Sequence, residues 1–125
     1  GLMDERLKRL IEQIKLYSFS VPAKKDGVLR QMPLEEICYF ESVDNRTFLY
    51  LEHELLDCDL KLYELEEKLR GTTFVRISKN CILNAAVVAG VRAQLNGRLE
   101  AILKNREKLI VSKHYVRGFR EKFED

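Results

Sequence analysis

The sequence lacks most of what marks a membrane span, a secreted scaffold or an enzyme. No apolar run approaches the ~18 residues that a membrane-crossing helix requires, and no basic stretch followed by an apolar block opens the chain as a signal peptide would. Both absences lead to the expectation of a cytoplasmic protein. Cysteine is scarce: Cys38, Cys58 and Cys81 are odd in number, widely separated and without a CxxC pair. That spacing argues against a disulfide framework or a zinc site and leaves the three thiols as expected core residues. The two histidines, His53 and His114, have no ligand partner at helical spacing, so no metal site is legible and no cofactor is expected. There is no Gly-rich phosphate loop, GxSxG elbow or HExxH, and no Ser/His/Asp spacing singles out a nucleophile. The expectation is therefore not an enzyme. Fixed-period repeats, low-complexity tracts and Pro-rich linkers are missing too.

What is present fits one domain with a real core: 125 residues, 46% of them hydrophobic. The formal net charge of +2 conceals an uneven distribution. Residues 1–70 hold 11 Lys or Arg against 15 Asp or Glu, whereas residues 71–120 hold 10 against 2. A basic surface facing an acidic polymer is the functional reading of that asymmetry, because each neutralised phosphate releases counterions. A solvated basic face is the plain alternative.

Leu7, Leu10, Ile11 and Ile14 recur at three- and four-residue steps among charged residues, which predicts an amphipathic helix over residues 3–15 with Asp4 as its N-cap. So short a helix needs an apolar partner, either its own domain or a second subunit. From Leu16 to Val21 the period becomes two and Pro22 is expected to close the strand, followed by a turn at Lys25-Asp26-Gly27. Strands are expected at residues 28–32, 37–41, 48–52 and 54–58, and again at 74–77, 87–93, 98–103 and 108–111. Asp59 is the expected cap of a helix burying Leu62, Leu65 and Leu69, with Gly71 at its left-handed stop. Asn96-Gly97 signals a hairpin. Val116, Phe119 and Phe123 suggest a short closing helix, and Phe74, Ile82, Leu83, Phe119 and Phe123 are assigned to the core. The expected fold is mainly β with one or two short packed helices.

The most informative stretch runs from Phe74 to Asn84, where a strand enters Ser78-Lys79-Asn80 and then an apolar segment. Here the chain resembles the LytTR family of bacterial DNA-binding domains. Phe74, Arg76, Lys79 and Asn84 match the family's signature; Ser78 stands where His is common and Asn80 where Ser is common. Ile37 to Ser42 is similar to a second family block, and Asp44 to Thr47 then occupies its DNA-facing loop without the usual Gly-Asn-Tyr pattern. Val111-Ser112-Lys113-His114-Tyr115-Val116 is similar to a third. The resemblance covers about residues 16–123, in register, and divides the chain into an N-terminal helix (1–15) and a LytTR-like domain (16–125).

The resemblance implies a fold of short antiparallel β-sheets whose loops enter successive major grooves of double-stranded DNA, usually at paired repeats. Carried over by position, the DNA-binding residues are Asn45, Arg46, Thr47, Arg76, Ser78, Lys79, Asn80, Lys113, His114 and Arg117. Their chemistry suits DNA contact, since Lys and Arg donate to guanine edges or phosphate, and Asn pairs with adenine through both amide atoms. Arg76 could support its loop or touch phosphate, either hydroxyl could instead cap a turn, and Asn84 is expected to form a turn. The function implied is that of a transcription regulator, dimeric or paired on DNA repeats, either an excised effector domain or a near-complete stand-alone regulator. By analogy with stand-alone members, a membrane protein could be its regulatory partner. From a different class, a protein- or RNA-interaction module using the basic C-terminal half is the alternative.

Overall fold

The computed structural model describes residues 4–10 and 19–124. Residues 4–10 are helical (α1) and exposed; the rest of the expected first helix and the start of the expected first strand lie outside the described residues. Ten strands and two further helices follow among the described residues: β1 (Ser20–Lys25), β2 (Val28–Pro33), β3 (Tyr39–Val43), β4 (Arg46–Tyr50), β5 (Leu55–Cys58), α2 (Leu62–Lys68), β6 (Phe74–Ser78), β7 (Cys81–Asn84), β8 (Val88–Ala93), β9 (Leu99–Leu103), β10 (Lys108–Val111) and α3 (Val116–Glu121). Seven strands form one antiparallel sheet in the order β2-β1-β5-β4-β3-β7-β6, and the last three form a second in the order β10-β9-β8.

The alternation of side chains along the large sheet supplies two cores. Phe40, Leu49, Leu56, Phe74 and Ile82 point to one face, which α2 covers with Leu62, Leu65 and Leu69. Tyr39, Ile77, Cys81 and Leu83 belong to the other core, with Leu99, Ala101 and Val111 from the small sheet and Phe119 from α3. The middle of the large sheet is thus buried on both faces. That explains why β7 carries no alternating signature: Cys81, Ile82, Leu83 and Asn84 are all buried, so the strand reads as an unbroken apolar run.

Several expectations are corrected. Pro22 does not close the first strand but sits within β1 opposite Gln31, where the missing N–H is tolerated because β1 meets β5 only at Lys24. Asp59 does not cap α2; Lys61 holds the N-cap position and Asp59 pairs with Lys24 at 3.4 Å. Phe123 is not core. It is half exposed and meets Phe119 edge-on at 5.1 Å. The turn residues behave as their chemistry dictates: Asp26 and Gly27 adopt positive φ in a two-residue hairpin tip, Asn96 and Gly97 do so in the longer Leu95–Gly97 tip, and Gly71 has φ +81 after α2.

Asn84 ties the halves of the sheet together from a buried position. Its Oδ1 accepts from the Ala86 N–H at 3.0 Å and the Thr73 hydroxyl at 2.6 Å, while Nδ2 donates to the Ile37 carbonyl at 2.9 Å. It is the turn-former expected from the sequence, and it also bridges to the segment before β3. The free cysteines are buried, as expected of core residues; burial, with a smaller contribution from Glu41, pushes the Cys81 thiol up to about 12.

Candidate nucleic-acid interface

β6 enters the turn Ser78-Lys79-Asn80 through a bulge between Arg76 and Ser78. Such an irregularity re-aims the side chains that follow it. Arg76 folds back along this turn: its Nε donates to the Ser78 carbonyl at 2.9 Å, Nη2 to the Lys79 carbonyl, and Nη1 to the Glu66 carboxylate at 2.7 Å. The Ser78 hydroxyl accepts from the Asn80 N–H at 3.2 Å. These bonds fix the backbone of the turn and leave Lys79 and Asn80 exposed.

The hairpin between β3 and β4 lies next to it, joined by a bond from the Ser42 N–H to the Asn80 carbonyl at 2.9 Å. Asp44 and Asn45 form its two-residue tip in left-handed conformations that short polar side chains tolerate. The Lys61 ammonium, from the segment before α2, donates to the Asn45 carbonyl at 3.1 Å. Asn45, Lys61, Arg76, Lys79 and Asn80 thereby share a cleft of about 370 Å³. Arg46, first residue of β4, is paired with Asp57 at 2.7 Å and lies 5.0 Å over the ring of Phe48.

On the far side of β6, the Ser112 N–H donates to the Ile77 carbonyl at 2.8 Å. That bond seats the Lys113-His114 turn beside the strand end that leads into Ser78 and Lys79. The stem of Lys113 runs across Gly97 at the β8–β9 tip, where a Cβ would come within 3.3 to 3.5 Å of its Cγ, Cδ and Cε. His114 and Arg117 are exposed, Arg117 with a loose contact to Glu121 at 3.7 Å. The turns therefore follow one another along one end of the molecule: the β3–β4 tip, Ser78–Asn80, Lys113 and the β8–β9 tip.

Asn45, Arg46, Lys79, Asn80, Lys113, His114 and Arg117 are all solvent-exposed among the expected residues, and Ser78 is half-buried with its hydroxyl capping the turn. Thr47 differs: as the second residue of β4 it is only 5% exposed and lines the cleft it shares with Asn45, Lys61 and Lys79 without projecting from the tip. Arg76 is a positioning residue for the turn that carries Lys79. Lys61 and the β8–β9 tip were not legible as neighbours of these turns, because each arrives by tertiary contact, although Asn96-Gly97 marks the tip itself as a hairpin. Among the described residues, no group of three His, Cys, Asp or Glu could hold a metal ion, and no helix is long and apolar enough to cross a membrane.

The family model for the LytTr DNA-binding domain matches residues 27–124. The chain belongs to this family. The LytTr domain is a DNA-binding domain. The chain is similar to the sensory transduction protein LytT of Enterococcus faecalis (strain ATCC 700802 / V583), with 28% identity over 106 residues, 84% of this chain and 43% of that protein. It thus spans less than half the length of that relative. A solved LytTr DNA-binding domain from Bacillus cereus shares the fold, with a TM-score of 0.77 at 22% identity over 85% of this chain and 97% of that one.

Proposed function

We propose that this LytTr domain acts in transcription regulation by reading base-pair edges of double-stranded DNA with its turns, binding repeated half-sites as a dimer or as paired molecules. The main support is the continuity from the β3–β4 tip through Ser78–Asn80 to Lys113, held by the Ser42–Asn80 and Ser112–Ile77 backbone bonds. Lys79 and Lys113 are brought to one strand end although 34 residues separate them in sequence. A β-scaffold that presents polar turns can reach into a major groove about 12 Å wide. Asn45 and Asn80 are the candidate adenine readers, Lys79 and Lys113 the candidate guanine or phosphate contacts, and His114 and Arg117 flank them. Arg76 holds the central turn in place.

The test is selection from a random duplex pool at physiological salt, followed by sequencing of the retained fraction. A recurring sequence, bound in the presence of excess random duplex, is the expected result. Retention of the pool without enrichment would leave a non-specific electrostatic binder and overturn base reading.

A further inference from the structure

The β8–β9 hairpin tip belongs to no segment assigned to DNA so far, yet it adjoins Lys113 directly. Gly97 lies under the Lys113 stem so closely that a Cβ there would meet three of its carbons. The tip is also fully turned outward: residues 91–98 are exposed, and Leu95 is 87% exposed. Glu100, two residues further along β9, accepts from Gln94 through Oε2 at 3.2 Å; its Oε1 is buried, lies 3.7 Å from the Arg92 guanidinium and has no hydrogen-bond partner among the described residues. Arg98, in contrast, makes no side-chain hydrogen bond or ion pair among the described residues, and the Gln94 N–H to Arg98 carbonyl bond of 3.0 Å fixes the backbone on which it stands. An unpaired guanidinium on a rigid tip beside a DNA-facing lysine suits a phosphate oxygen better than bulk water.

We infer that the β8–β9 tip is a further DNA-contacting element, with Arg98 donating to a backbone phosphate on the flank of the groove that Lys113 enters. This rests on the proposed function and extends the footprint beyond the turns of the large sheet. The tip adds affinity and register without reading sequence, because a phosphate contact carries no base information. Gly97 suits the arrangement: its φ of +77 is one L side chains rarely adopt, and the Lys113 stem packs within van der Waals reach of it.

The experiment measures duplex affinity of the whole chain against salt, with hydroxyl-radical footprinting, for Arg98→Ala, Arg98→Glu and Lys108→Ala. Lys108 begins β10 at the opposite end of the small sheet, so its removal lowers net charge equally without touching the tip. Arg98→Ala should weaken target and random duplex alike, by about 3- to 10-fold, and reduce the salt slope by about one. Arg98→Glu should weaken both further, each variant should lose protection at one edge of the footprint, and Lys108→Ala should bind as the unaltered chain does. Unchanged affinity, slope and footprint in Arg98→Glu, with selective binding intact in the unaltered chain, would overturn this inference alone. If the unaltered chain selects no sequence, base reading fails first and the inference with it.

Discussion

The Arg46 guanidinium and the Asp57 carboxylate meet at 2.7 Å on the exposed face of the β4–β5 ladder, where Asp57 stands opposite Phe48, the ring beneath Arg46. Both side chains are more than half exposed, so the pair contributes only ~0–1 kcal/mol to folding. If the β3–β4 tip meets DNA as proposed, its larger effect is there: Asp57 restrains a cation next to the tip and places a negative charge where phosphate would approach. Asp57→Asn should therefore leave the melting temperature unchanged while tightening binding of target and random duplex by about 2- to 10-fold. Weaker binding together with a lowered melting temperature would mean that the pair holds the ladder and does not restrain Arg46.

Arg76 offers three donor groups to three acceptors, and only a guanidinium can span the Ser78 and Lys79 carbonyls and Glu66 at once. Arg76→Ala and Arg76→Lys should both weaken specific binding, by ~1–3 kcal/mol, and both should speed hydrogen exchange of the Asn80 amide. Secondary structure should persist. An Arg76→Lys chain that binds and exchanges like the unaltered one would reduce the residue's role to charge.

How far these features were legible depended on whether they were local. Asp26-Gly27 and Asn96-Gly97 announced their hairpins because positive φ is a property of the residues themselves. The Leu62, Leu65 and Leu69 stripe announced α2 for the same reason, since its periodicity is internal to the segment. β7 escaped because burial on both faces erases alternation, and β3 begins two residues later than expected because Leu34–Glu36 form a 3-10 turn and pairing starts from the Cys38 N–H to Tyr50 bond. The resemblance pointed to the central turn, whose Lys79 and Asn80 are exposed. Thr47 was expected in the loop but is buried at the start of β4, because the hairpin tip ends at Asn45, and Lys61 reaches Asn45 from 16 residues away.

Asn84 provides the sharpest stability test. Replacing it with Ala strands the Ile37 carbonyl and removes the acceptor for Thr73 and Ala86 inside the sheet. Loss of about 2–4 kcal/mol is expected from urea unfolding, since each unsatisfied buried group costs roughly 1–3 kcal/mol. A loss below about 1 kcal/mol would show that water replaces the amide.

Alkaline stability follows from the phenols and thiols. Burial, then Glu41, raises Tyr50 to about 12; burial, then Glu41, raises Cys81 to about 12; burial and the 2.8 Å bond to Glu107 raise Tyr39 as well. In the unfolded chain these groups lose protons near pH ~8.5–10. Their contribution is complete below that range and is lost as pH rises from about 9 through about 12, because the unfolded state then binds fewer protons than the folded one. The urea midpoint should fall across that interval, and less steeply in Tyr50→Phe. A midpoint flat to pH ~11 would contradict the raised values.

Lys79 separates base reading from charge neutralisation. Its backbone is fixed by Arg76 on one side and by the Ser42–Asn80 bond on the other, so truncation to Ala removes the side chain without moving the turn. If the ammonium reaches a guanine edge, Lys79→Ala should cost ~1–3 kcal/mol against the selected duplex, much less against random duplex, and should relax the preference at one base pair. A phosphate contact would instead lower both affinities equally and flatten the salt dependence. The first pattern is expected, because Lys79 is exposed at the centre of the row of turns, with the β3–β4 tip on one side and Lys113 on the other.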